Sequence, residues 1–130
     1  MSLTPSAVHR RAYAAYEAIH FSVDARGDDR RYLVEMLLDG LAASLSNISK
    51  ADRAADLDAR RSAVLRASRI VAGLQNALNA KADPALVRDL SSIYRYFLLR
   101  LNRAHRGAGQ DTATELLELT NILRNAFSPR

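Results

Sequence analysis

The chain has no cysteine and no tryptophan, and only five glycines and three prolines among its 130 residues. Without cysteine there is no disulfide and no thiolate for catalysis or metal binding, a usage that fits a reducing compartment. So few glycines leave no phosphate-cradling loop of the P-loop or dinucleotide kind. Histidine is equally scarce. His9, His20 and His105 have neither an i, i+4 partner nor the carboxylate spacing of a metal site, and no serine, histidine and acid form a local nucleophile motif. An enzyme is therefore not expected, and no cofactor or metal is implied. Long apolar runs are also missing. Nothing approaches the roughly 18 residues needed to span a bilayer, and "MSLTPSAVHRRAYAAYEAIH" lacks the continuous apolar core of a signal peptide. The expectation is a soluble, cytoplasmic protein with no membrane insertion. For the same reason "RGD" at 26–28 reads as a turn and helix cap, and "NIS" at 47–49 as an unused glycosylation pattern.

What remains is 48% hydrophobic and dominated by alanine, leucine and arginine. That is the composition of one globular, helix-favouring domain. Nineteen Lys+Arg against fourteen Asp+Glu give a net charge of +5, which permits nucleic acid or an acidic partner without requiring either.

Punctuation divides the chain. A segment over 5–22 precedes "DARGDD", where Asp28 or Asp29 is available as a cap, and a first long helix is expected over 29–48. After "SKADRAAD" a second helix spans 54–80, with Leu57, Val64, Val71 and Leu78 at heptad spacing and Ala67 and Leu74 in the alternate seam. Asp83-Pro84 opens a third helix, as N-cap and N1 proline. Its apolar face is Leu86, Leu90, Ile93, Phe97 and Leu101, widened by Tyr94 and Leu98, and it ends near His105. A fourth starts around Asp111, with Thr112 and Glu115 at capping-box spacing, and runs through Leu116, Leu119, Leu123 and Phe127 to Ser128-Pro129. Long helices joined by short loops predict an all-α fold: an antiparallel up-down four-helix bundle with an additional short N-terminal helical segment. By domain, 1–28 is an N-terminal segment and linker, 29–127 the bundle and 128–130 a tail.

The first long helix is unusual. Leu33, Val34, Met36, Leu37, Leu38, Leu41, Leu45 and Ile48 cover about half its circumference or more, wider than a bundle helix needs. In its middle stands Asp39-Gly40, a poor interior pair, since glycine costs about 1 kcal/mol against alanine. Gly40 would let a neighbouring backbone come close, and Asp39 would cap or pair with whatever arrives. The plainer reading is a helix-crossing glycine beside a solvated aspartate.

Read in order, "RAY" (11–13), "MLLDGL" (36–41), "SRIVAGLQNALN" (68–79), "LSSIYRYFLLRLNRAH" (90–105) and "LLELTNILRNAF" (116–127) resemble the flagellin-specific export chaperone family, FliS, over essentially the whole chain. The departures are Leu38 in place of a tyrosine, His105 in place of an asparagine, and the longer, proline-free linker "FSVDARGDDRRY". The resemblance implies a helical bundle without catalysis or cofactor. It also implies binding of the disordered C-terminal part of flagellin, protection from early polymerisation, delivery to the export apparatus, and an N-terminal segment that covers part of the binding surface. Such a client folds onto apolar grooves as it binds.

From the residues themselves, Tyr13, Tyr16 and Ile19 lie near one face of a segment too short to be stable alone. It must dock on something, either as a displaceable lid over the over-wide first long helix or as a plug completing the core. The candidate client-binding or lid residues are Tyr13, Tyr16, Ile19, Leu38, Asp39, Gly40 and Tyr96, the last expected near the rim of the third helix. Partners expected are the flagellin tail and export-gate components, with the chain a monomer or weak dimer. A competing reading rests on Arg88, Arg95 and Arg106, with Arg103 alongside, which share the polar face of the third helix and would suit a phosphate backbone. No base-reading amides accompany them, so nucleic acid is the weaker reading. A third is a helical adaptor for another disordered partner.

Overall fold

The computed structural model describes residues 5–22, 28–78, 84–107 and 109–127, with the backbone alone described at 5, 16–22 and 28–30. It contains five helices: α1 (Pro5–Ser22), α2 (Asp28–Arg53), α3 (Leu57–Asn76), α4 (Pro84–Ala104) and α5 (Gly109–Phe127). The fold is the expected all-α antiparallel bundle, α2 to α5, with α1 as the additional N-terminal helix. Around the bundle α2 lies beside α3 and α5, and α3 beside α4, while α1 fills the space between α4 and α5.

The apolar faces predicted by periodicity form one core. Leu38, Leu41, Leu45 and Ile48 of α2 meet Val64, Ala67, Val71 and Leu74 of α3, Ile93, Tyr94, Phe97 and Leu101 of α4, and Leu116, Leu119 and Leu123 of α5. Leu33 and Met36 near the start of α2 stay exposed, and so does Leu57, the first residue of α3, because the heptad seam outruns the bundle there.

The helix ends differ from expectation in instructive ways. The polar "SKADR" belongs to α2, which continues to Arg53 because Ala51 still reaches buried ground. The chain then reverses through Ala55 at φ 54, a left-handed conformation that costs a non-glycine residue about 1–2 kcal/mol. Asp56 caps α3, its carboxylate accepting from Ala59 N at 3.0 Å. No Thr112–Glu115 capping box forms, since α5 begins earlier, at Gly109, with Thr112 buried. Its first turn is capped instead by Asp52 of α2, which accepts from Gln110 N at 3.2 Å and pairs with Arg60 at 2.9 Å. A carboxylate is well placed at that positive helix end. At the other end of α5, Arg31 donates from Nε and Nη2 to the carbonyl of Phe127 at 3.0 and 2.9 Å. The proposed caps Asp28, Asp29 and Asp83, the loop around Gly27, and Ser128-Pro129 lie wholly or in their side chains outside the described residues.

Gly40 faces α3, but what lies over it is a side chain and not the neighbouring backbone expected there. A Cβ at Gly40 would stand 3.3 Å from Cδ1 of Ile70, and one at Gly73 would stand 3.6 Å from Leu37. Each helix thus sets a branched side chain over the other's glycine, one turn apart.

Candidate functional site

The site grows from the way α1 is seated. Its buried face is made of Val8, Ala12 and Ala15, at i, i+4 and i+7, so small side chains let the helix sit low between α4 and α5. Two polar contacts flank that face. Arg11 Nη1 donates to Ser92 Oγ of α4 at 3.0 Å, and His9 Nε2 lies 3.6 Å from Glu118 of α5. One turn nearer the α4–α5 connection, Tyr96 donates its hydroxyl to Glu115 Oε2 at 2.6 Å, and Arg100 Nε donates to Glu115 Oε1 at 2.9 Å. These bonds clamp α4 to α5 beyond the place where α1 lies between them. Burial, then the hydrogen bond to Glu115 and the charge of that carboxylate, push the Tyr96 phenol up to about 12, against the opposing pull of Arg100 and Arg103.

The seven candidate residues do not converge on one surface. Tyr13 is largely exposed on α1, and the side chains of Tyr16 and Ile19 lie outside the described residues. Leu38 is fully buried in the core beneath α2. Asp39 is exposed and pairs with Arg124 of α5 at 2.9 Å, at the edge of a polar cavity of about 400 Å³ lined by Glu35, Asn121 and Asn125 as well. Gly40 sits under Ile70. Tyr96, expected at the rim, is 7% exposed and held by Glu115.

The expected site of the N-terminal helix needs correction too. A lid over the wide apolar face of α2 is one of its two expected seats, the other being a plug in the core, but its principal neighbours are α4 and α5. The breadth of the α2 face has another cause. Leu37 and Gly40 serve α3, Leu38 and Leu41 the core, and Tyr32 (65%), Leu33 and Met36 (54%) remain exposed near the helix start. Sequence reasoning did not single out Tyr32, nor the seat formed by Val8, Ala12 and Ala15. The i, i+4, i+7 spacing of that small-residue face was the available signal, masked by the more conspicuous tyrosines.

Among the described residues no three His, Cys, Asp or Glu are grouped to hold a metal, and no helix is long and apolar enough to cross a membrane. Compared with known families, residues 12–129 match the family described as flagellar protein FliS. The chain belongs to the FliS family. The match spans α2 to α5 entirely and begins within α1, so it includes both walls of the groove and part of the helix that fills it. FliS is a chaperone family of flagellar export, and the five-helix architecture accords with it. No curated protein and no solved structure gives a match.

Proposed function

We propose that this FliS-family chain binds the disordered C-terminal segment of flagellin in the bacterial cytoplasm, keeps it from polymerising, and hands it to export-gate components, acting as a monomer or weak dimer. In this reading α1 is a lid. It occupies the α4–α5 groove when no client is present, and an amphipathic segment of the client takes its place on binding. The observation that carries the reading is the seat of α1: a helix with a small-residue face, secured in part by Arg11–Ser92 and His9–Glu118, over the large apolar side chains of two other helices. An accessible apolar surface of that kind needs cover when empty. Tyr13, Tyr16 and Ile19 would travel with the lid, Tyr96 would fix the groove's lower end, and Asp39, carried on α2 beside Gly40 and the buried Leu38, would meet a second part of the client.

The test is calorimetric titration with the C-terminal flagellin segment of the same organism, on the full chain and on a chain lacking residues 1–22. Saturable one-to-one binding with a negative heat-capacity change is expected, tighter for the shortened chain, which should stay folded and bind a dye such as ANS. Asp39→Ala should weaken binding with little change in melting, because its ion pair with Arg124 is exposed and worth little to stability. Global unfolding of the shortened chain would make α1 a plug of the core. Absence of binding to either chain would remove flagellin as the client.

A further inference from the structure

On the other side of α4 from the α1 groove lies a face that the chaperone reading does not use. Helices α3 and α4 together carry eight arginines and two aspartates, more than the whole net charge of the chain, so the rest of the sequence is close to neutral. Of these arginines Arg60 and Arg100 are committed to Asp52 and Glu115. Arg61, Arg66, Arg69, Arg88, Arg95, Arg103 and Arg106, the last just past the end of α4, are exposed, and none forms an ion pair among the described residues.

The arrangement is ordered. On α3 the sequence Leu57, Arg61, Leu65, Arg69 recurs every four residues, which keeps it in one slowly turning row. On α4 Arg88, Arg95 and Leu99 are spaced by seven and four, which holds them within a narrow stripe, and Arg106 follows in the turn just beyond the helix. The leucines are exposed, not tucked away: Leu57 is 59%, Leu65 46% and Leu99 51% accessible. The two helices are adjacent and antiparallel, with their register fixed at one end by Arg60 Nη2 donating to the carbonyl of His105 at 3.2 Å. The axes of two packed helices lie about 8–10 Å apart, so the two rows run side by side on the outer surface and set exposed leucines among guanidinium groups that form no ion pair among the described residues.

We propose that the α3–α4 face is a docking surface for an acidic amphipathic helix of a protein partner, separate from the α1 groove. The partner's apolar stripe would cover Leu57, Leu65 and Leu99, and carboxylates on its flanks would pair with Arg61, Arg69, Arg95 and Arg106. Charge complementarity selects the acidic partner. The leucines select a protein over nucleic acid, whose bases are held by stacking on aromatic side chains, and arginine suits planar pairing with carboxylates. Covering three exposed leucines also accounts for their presence on an otherwise charged surface.

The test uses the full chain and a synthetic peptide of about 18 residues, leucine at i, i+3 and i+4 spacing and glutamate elsewhere, followed by fluorescence anisotropy. The same peptide with lysine for glutamate, an oligothymidylate of similar length, and vesicles of phosphatidylcholine with phosphatidylglycerol serve as competitors for the assignment. The expected result is saturable binding of the glutamate peptide that weakens with salt, about tenfold loss for Arg61→Glu with Arg95→Glu, and a comparable loss for Leu65→Ser with Leu99→Ser. All these side chains are exposed, so unchanged melting curves are expected to accompany the losses. No binding, equal binding of the lysine peptide, or indifference to the leucine substitutions would overturn the proposal. Tighter binding of the oligonucleotide or the vesicles than of the glutamate peptide would overturn it in favour of that surface.

Discussion

Gly40 and Gly73 illustrate how two glycines in similar positions carry different weight. Both lie inside helices at the α2–α3 contact, where glycine costs helix stability in return for close packing. A Cβ at Gly73 would make an ordinary 3.6 Å contact with Leu37, whereas one at Gly40 would crowd Ile70 at 3.3 Å. Gly73→Ala should therefore raise stability, by up to about 1 kcal/mol. Gly40→Leu should lower it by about 1–3 kcal/mol, because the Cβ alone already crowds Ile70 and the leucine adds three carbons beyond it. Denaturant melts of the two variants read both signs, and a neutral Gly40→Leu would mean that α2 and α3 separate readily. The Asp39-Gly40 pair thus divides its duties: the glycine serves α3, and the aspartate reaches across to Arg124 of α5. The sequence pattern anticipates that Asp39 caps or pairs with something, but its partner, 85 positions away, leaves no local trace.

At the scale of elements, the end of the bundle is tied by a carboxylate that joins three helices. Asp52 extends from the last turn of α2, pairs with Arg60 of α3 and caps the first turn of α5 through Gln110 N. Gly109 makes room for it, since a Cβ there would approach both Asp52 Oδ1 and Arg60 Cδ to 3.3 Å. Asp52→Ala removes the cap and leaves the part-buried Arg60 guanidinium without its carboxylate, an expected loss of about 1–3 kcal/mol. Asp52→Asn keeps an acceptor for the helix end and should cost less, so the difference between the two, measured by denaturant titration, separates cap from charge. Local reading proposed Thr112 and Glu115 for this duty on their spacing alone. Glu115 serves Tyr96 and Arg100 instead, because a cap supplied by another helix makes the local one unnecessary.

For the whole molecule, the buried phenols are expected to make stability fall at alkaline pH. Tyr96 is raised from its ordinary 10 to about 12, chiefly by burial and by its bond to Glu115, and burial raises Tyr94 as well. A group whose folded pKa exceeds its unfolded value favours the native state fully below the unfolded pKa, and that contribution fades as pH climbs through the folded one. Stability should accordingly fall between pH 10 and about 12. Tyr96→Phe, less stable at neutral pH for want of the hydrogen bond, should fall less steeply over the same window. Melting temperatures measured across that range check the slope, and equal slopes would place the titration elsewhere.

The sequence by itself determined five helical segments, the composition of nearly every core face, the bundle class and the family, because 3.6-residue periodicity, caps and motif order are all written locally. Periodicity specifies which side of a helix is buried but not which neighbour buries it. The small face of α1 fits any shallow groove, so only tertiary packing chose α4 and α5 over α2. The same packing took Tyr96 from the rim to the interior, gave α5 a cap from α2, and brought the leucine and arginine rows of α3 and α4 side by side. Those outcomes depend on volumes and charges that meet only once distant segments are assembled.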